Sequence, residues 1–169
     1  SHFIRTFGSD LALLILDTGH VTSHSGAQAT WLDQELGRQA LRRFKVAAYH
    51  VPLYPAHRSF SGTYSERGRT HWGPLFDRHG LTLGLENHDH VLKRTHPLRN
   101  GAVDPNGTVF LGDGCWGRTA RTVDSNLRWY LSLAEPERHI WVLEVTPTHL
   151  RARAIDLNGN EVDRWEKQG

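Results

Sequence analysis

The chain has 169 residues, of which 38% are hydrophobic, enough for one compact domain over residues 1–169 and too many for a disordered chain. Twenty Lys plus Arg stand against 18 Asp plus Glu, and the resulting net charge of +2 is carried by scattered residues. That balance argues against a polybasic surface for nucleic acid or membrane.

Leu11 to Leu16 is a continuous apolar run ending in Asp17-Thr18-Gly19. It is too short to cross a bilayer and suits a strand buried on both faces and stopped by a turn. From Ala27 to Phe44, residues Trp31, Leu32, Leu36, Ala40 and Phe44 recur at three- to four-residue steps, which predicts an amphipathic helix. Lys45 to Tyr49 is the next strand, and His50-Val51-Pro52-Leu53-Tyr54-Pro55 is irregular because two prolines forbid helix and central strand alike. Residues 56 to 71, rich in Ser, Gly, Arg and His, read as a long surface loop.

Trp72 to Gly80 is a short helix with Pro near its first turn and Gly at its end. Leu81 to Leu85 is a strand, followed by Glu86-Asn87-His88-Asp89-His90. Strand, helix, strand, helix, strand argues for a sheet of largely parallel character. Thr108 to Leu111 is a further strand, followed by the glycine-dense loop Gly112 to Gly117. That loop holds Cys115, whose solitude excludes an internal disulfide framework and a cysteine-based zinc site and leaves the compartment open. Ile140 to Val145 and Leu150 to Leu157 are strands, the second turning through Asn158-Gly159 into Glu161 to Trp165. The whole reads as one α/β domain whose C-terminal end is antiparallel.

Twelve histidines are about 7% of the chain, roughly three times ordinary usage, and invite a metal. Three of them, His50, His88 and His90, lie just past the C-terminal ends of predicted core strands, where open α/β sheets place ligands. Successive imidazoles of a His-x-His pair point to different sides and can serve two neighbouring ions. The pair alone decides nothing, since roughly 0.8 such pairs arise by chance at this histidine content. A non-catalytic α/β binding or structural module with incidental histidines is therefore the competing reading.

The surrounding segments resemble the calcineurin-like metallophosphoesterases, in their purple acid phosphatase-like branch. Val46-Ala47-Ala48-Tyr49-His50 is similar to that family's Val-x-x-His, with one extra residue, and Asn87-His88-Asp89-His90 to its Gly-His-x-His. Asn87 replaces the glycine, and Asn is the next-best residue at positive φ. Leu16-Asp17-Thr18, Gln28 to Leu36 and Val109 to Gly117 are similar to further family segments in the right order. The resemblance implies the C-terminal half of an αββα sandwich with a mixed sheet. It implies two divalent or trivalent ions of Fe, Zn or Mn type, roughly 3.5 Å apart, activating water against a phosphate ester. His50 and His88 would bind one ion and His90 the other. The loop histidine His57 would protonate the leaving alkoxide or, with Arg58, contact phosphate. By family position none of Asp17, Glu86, Asp89 and Asp113, near strand ends, is expected to bind metal directly, though any could orient an imidazole.

The family's carboxylate-bearing ligands precede these motifs and have no counterpart here. Three neutral histidines cannot offset the repulsion of two close cations. The expectation is a fragment lacking its N-terminal half, in keeping with the absence of Met. Alone it would bind at most one ion weakly and be nearly inactive. The missing half, or another chain, would cover an apolar sheet edge.

Overall fold

The computed structural model describes residues 2–112, 115–123 and 128–169. In chain order the elements are β1 (Phe3–Phe7), β2 (Leu11–Ile15), α1 (Ala27–Arg38), β3 (Phe44–Tyr49), α2 (Thr63–His71), α3 (Gly73–His79), β4 (Leu83–Glu86), β5 (Leu92–Thr95), β6 (Leu98–Arg99), β7 (Ala102–Val103), β8 (Val109–Gly112), β9 (Leu131–Glu135), β10 (His139–Val145), β11 (His149–Asp156) and β12 (Glu161–Gln168). Among the described residues no helix is long and apolar enough to cross a membrane.

A seven-stranded mixed sheet, ordered β1-β2-β3-β4-β8-β5-β9, is the centre of the fold. Strands β2, β3, β4 and β8 run parallel, while β1, β5 and β9 pair antiparallel at the two sides. Alternation along each strand divides the side chains between two faces. Leu14, Ala47, Tyr49 and Phe110 join Leu32, Leu36, Trp72 and Phe76 of the helical layer in one cluster. Phe44, Val46, Leu83, Val109 and Leu111 face the other way, onto Leu150 and Ala152 of the three-stranded antiparallel sheet β10-β11-β12. Each fully buried Leu of these clusters stabilises by about 1.5–3 kcal/mol.

Two of the helical elements differ from the sequence reading. The α1 stripe of Gln28, Leu32, Glu35 and Leu36 is buried, but the helix stops at Arg38 and Leu41 is wholly exposed. Phe44, which continues the helical spacing, instead opens β3 and packs on the far side of the sheet. Residues 63–71 form α2 where a loop was expected. Its buried face consists of Ser65 and Gly68, small and polar, so no apolar periodicity marks it. Gly68 lets the helix close onto Leu53: a Cβ there would come within 2.6 Å of the Leu53 side chain.

Beneath the helical layer, His24 is 1% exposed with both ring nitrogens lacking a hydrogen-bond partner, its ring 4.5 Å from that of Trp72. Burial, then the positive charges of His71 and Arg67, push its pKa down to about 4; Asp17 opposes them and His20 adds to them. The folded state thus binds fewer protons than the unfolded chain below the usual value of 6.5. Stability is complete above that pH and falls as pH drops from 6.5 towards 4, by up to about 3 kcal/mol. His24→Leu is expected to flatten this acid-side loss in thermal denaturation measured across that window.

Glu86 and Lys93 form an ion pair with neither side chain exposed, the stem of Lys93 lying across Gly112, where any Cβ would collide with it. Lys93→Met should lower stability by about 3–5 kcal/mol in urea denaturation, because it strands a buried carboxylate. The double variant E86Q/K93M should recover part of that loss.

Candidate metal centre

Parallel pairing aligns the ends of β3 and β4, since Tyr49 is in register with Glu86. His50 leaves the first strand directly and His88 follows the second by two residues. Asn87 ties the two ends together: its backbone N–H donates to the His50 carbonyl at 3.0 Å and its side-chain amide to the Tyr49 carbonyl at 2.9 Å. Positive φ falls not on Asn87 but on His88 (68°) and His90 (56°). The replacement of glycine by Asn87 is therefore accommodated by its side-chain bond, and the left-handed turn is made by the histidines themselves.

The turn brings two of the three histidines together. His88 Nδ1 lies 2.9 Å from His50 Nε2, one of them donating, and the rings meet edge to face at 4.6 Å. His90 lies elsewhere on the turn, against Arg118, Thr119, Ala120 and Arg121. Burial, then Arg58 and His50, push the His88 pKa down to about 4. Burial, followed by neighbouring positive charges, lowers His50 and His90 as well, with His20 and Arg58 acting on the first and Arg121, Arg118 and Arg58 on the second. All three imidazoles are thus neutral near pH 7, the form that donates a lone pair to a metal. Among the described residues no group of three or more His, Cys, Asp or Glu side chains is arranged to hold an ion. The facing imidazoles of His50 and His88 fit two positions of a metal site, and the anionic donors that two ions need are not among these residues.

The loop from His50 to Arg58 is wound on two buried carboxylates that flank the histidine turn. Glu86 Oε1 accepts hydrogen bonds from the Tyr49 hydroxyl at 2.8 Å and the Leu53 N–H at 2.7 Å, while its other oxygen pairs with Lys93. Asp89, 1% exposed, accepts the backbone N–H groups of Ala56, His57 and Arg58 at 2.5, 2.9 and 3.3 Å. From the opposite side, Arg128 donates to the carbonyls of Pro55 and Arg58, and the Tyr130 hydroxyl to that of Pro55 at 2.6 Å. Both Glu86 and Asp89 therefore grip backbone rather than orient an imidazole. The sequence signal was there to be read: one carboxylate two residues before a His-x-His, a second at its middle position, and a lysine soon after.

This frame fixes His57 and Arg58. His57 Nδ1 donates to the Thr122 carbonyl at 2.8 Å, which leaves Nε2 to exchange a proton. The Arg58 guanidinium lies 3.7 Å from Asp89, and its Nε is buried without a hydrogen-bond partner. Asp17 caps its own loop: burial raises its pKa, but backbone N–H bonds from Val21, Thr22 and His20 outweigh this and hold it at about 2. The fully buried Gln28 clamps the same loop, donating to the carbonyls of Asp17 and Ser23 and accepting the Asp17 N–H. Asp113 lies outside the described residues.

No protein-family model matches the chain, and no curated protein matches it. Solved structures do. Purple acid phosphatase PPD1 from yellow lupin (Lupinus luteus) seeds matches with a TM-score of 0.85 at 15% identity, over 98% of this chain and 32% of that one. GAP50, the anchor in the inner membrane complex of Plasmodium, matches with a TM-score of 0.75 at 13% identity, over 99% of this chain and 53% of that one. PhoD matches with a TM-score of 0.67 at 12% identity, over 99% and 40%. The chain thus spans between about a third and about half the length of these structures. Its fold is that of the purple acid phosphatase-like metallophosphoesterases.

Proposed function

We propose that this chain contributes the histidine arm of a two-metal phosphoesterase centre that hydrolyses phosphate esters. His50 and His88 would hold one ion and His90 the other, with anionic ligands supplied by polypeptide outside these 169 residues. The observation that carries this reading is the pair of neutral imidazoles, 2.9 Å apart, at the ends of two adjacent parallel strands in this fold. When bound, two such ions acidify a water and neutralise phosphoryl charge. The chain's own residues would do the rest. His57 would present Nε2 to the departing alkoxide, and Arg58 would donate to a phosphoryl oxygen through the guanidinium that Asp89 steadies.

Three neutral donors cannot hold two cations close together, so the isolated chain would bind at most one ion, weakly, and turn over negligibly. The missing half, or another chain, would cover the β1 edge, whose outer side pairs with no strand among the described residues and which exposes Phe3 and Phe7. The second reading, a non-catalytic module, draws on the mutual hydrogen bond of His50 and His88 and on the absence of a third donor beside them among the described residues.

The test compares the 169 residues with the whole polypeptide that their gene encodes, by calorimetric titration of Zn²⁺ or Mn²⁺ and by hydrolysis of p-nitrophenyl phosphate. The whole polypeptide should bind two ions and lose roughly 100-fold or more in rate on His88→Ala. Brisk metal-dependent turnover by the 169 residues alone would overturn the shared-site reading, and no ion binding or hydrolysis by either would establish the module. Asp89→Asn should cost about 1–3 kcal/mol and speed amide exchange at Ala56 and His57 by about 10-fold or more, because three bonds to a carboxylate become bonds to an amide.

A further inference from the structure

On the helical side of the sheet, α2, α3 and the β6–β7 hairpin surround an open cavity of about 480 Å³. None of His50, His57, Arg58, His88 or His90 lines it. Its floor is formed by Tyr54, Phe76, Leu98 and Phe110, all part of the main core. Phe60 and Trp129 stand beside that floor, and Trp129 keeps 51% of its surface exposed. An indole half in solvent next to an apolar floor forgoes burial that an occupant would restore. The polar part of the wall is mainly acidic. Glu66 and Asp77 line the cavity, and among the described residues neither forms an ion pair. The Asn100 N–H donates to one Asp77 oxygen at 2.9 Å, which fixes that carboxylate and docks the hairpin on α3. The one cation in the wall, Arg69, is already committed. Its guanidinium donates to the carbonyls of Leu53 and Phe60 and lies 3.7 Å from the centre of the Phe60 ring. Two carboxylates against one guanidinium leave the wall with negative charge in excess.

We infer that this cavity is a binding site for a small organic cation, an ammonium carried on an apolar body, separate from the candidate metal centre. The apolar body would rest on Tyr54, Phe76, Leu98 and Phe110, with the ammonium turned to Glu66 and Asp77. Aromatic faces attract a cation through their quadrupole, and the Arg69 guanidinium over Phe60 is an instance within the same wall. A neutral ligand of the same shape would gain the floor without the carboxylates. An anion would meet repulsion from both. The cavity is of the size that small-molecule sites have, roughly 300–1,000 Å³, and shares their make-up of apolar surface with a few placed polar groups. Because no residue of the histidine turn takes part, the proposal stands independently of the phosphoesterase reading.

The test is calorimetric titration of the whole polypeptide with phenethylamine, 2-phenylethanol and phenylacetate, which differ in charge and little in shape. The amine should bind about 10-fold or more tightly than the alcohol, and phenylacetate most weakly of the three. The double variant E66Q/D77N should bring amine and alcohol to the same Kd. Glu66→Gln alone, at an exposed residue, leaves the Asp77 contact with the hairpin intact and should remove part of the preference. Trp129→Ala should weaken amine and alcohol alike, by about 5-fold. E135Q/E137Q, the same charge change beyond the other end of β9, should keep the whole preference. No binding of the amine, equal affinity for amine and alcohol in the unaltered polypeptide, or a preference that survives E66Q/D77N or vanishes in E135Q/E137Q would overturn the site. Hydrogen exchange at residues 98–101 gives a reading without substitution. It should slow when phenethylamine binds, and unchanged exchange there would overturn the assignment to this cavity.

Discussion

The candidate centre depends on one electrostatic arrangement, a carboxylate buried at the end of a central strand and answered by a buried lysine. Glu86 sits on the helical side of the sheet, where an unpaired charge would be costly, and Lys93 from β5, reaching across Gly112 of the intervening β8, compensates it. Once compensated, the carboxylate has lone pairs left for the backbone of the loop above. It accepts from Leu53 and from the Tyr49 hydroxyl, and Asp89 does the same for residues 56 to 58. A nine-residue irregular segment with two prolines, unable to satisfy itself by helix or sheet bonding, is thereby given fixed partners. The positions of His57 and Arg58 follow from those bonds.

Much of the sheet was legible from sequence because its parallel strands are buried on both faces and read as apolar runs: Leu11 to Leu16, Lys45 to Tyr49, Leu81 to Leu85, Thr108 to Leu111. The short helix ending at Gly80, which has φ 62°, was legible from its proline and glycine. What escaped did so for physical reasons. Strand β1 is an edge strand with mostly exposed residues, so it lacks the apolar run that marks its neighbours. Strand β5 reads Leu-Lys-Arg-Thr, and its Lys93 looks like a surface residue until Glu86 is placed beside it. Helix α2 packs through the smallness of Ser65 and Gly68, a property no hydrophobic pattern registers.

The site was legible in part. The positions of His50, His88 and His90 at strand ends could be read from the chain, and the neutrality of their rings could not, because it comes from burial and from arginines distant in sequence. Arg118, Arg121 and Arg128 gave no signal among 20 basic residues. Only the folded chain separates those that balance an acid from those that hold a loop or face a cavity.

The left-handed backbone at His88 and His90 bears on how this turn can change over evolutionary time. An L-residue in that region costs about 1–2 kcal/mol, a penalty that glycine escapes. At both positions the residue that would relax the backbone is the one that would delete the imidazole. Drift towards an easier turn and drift towards a lost donor are therefore the same mutational step, and a lineage released from any need for the histidines would be drawn along it.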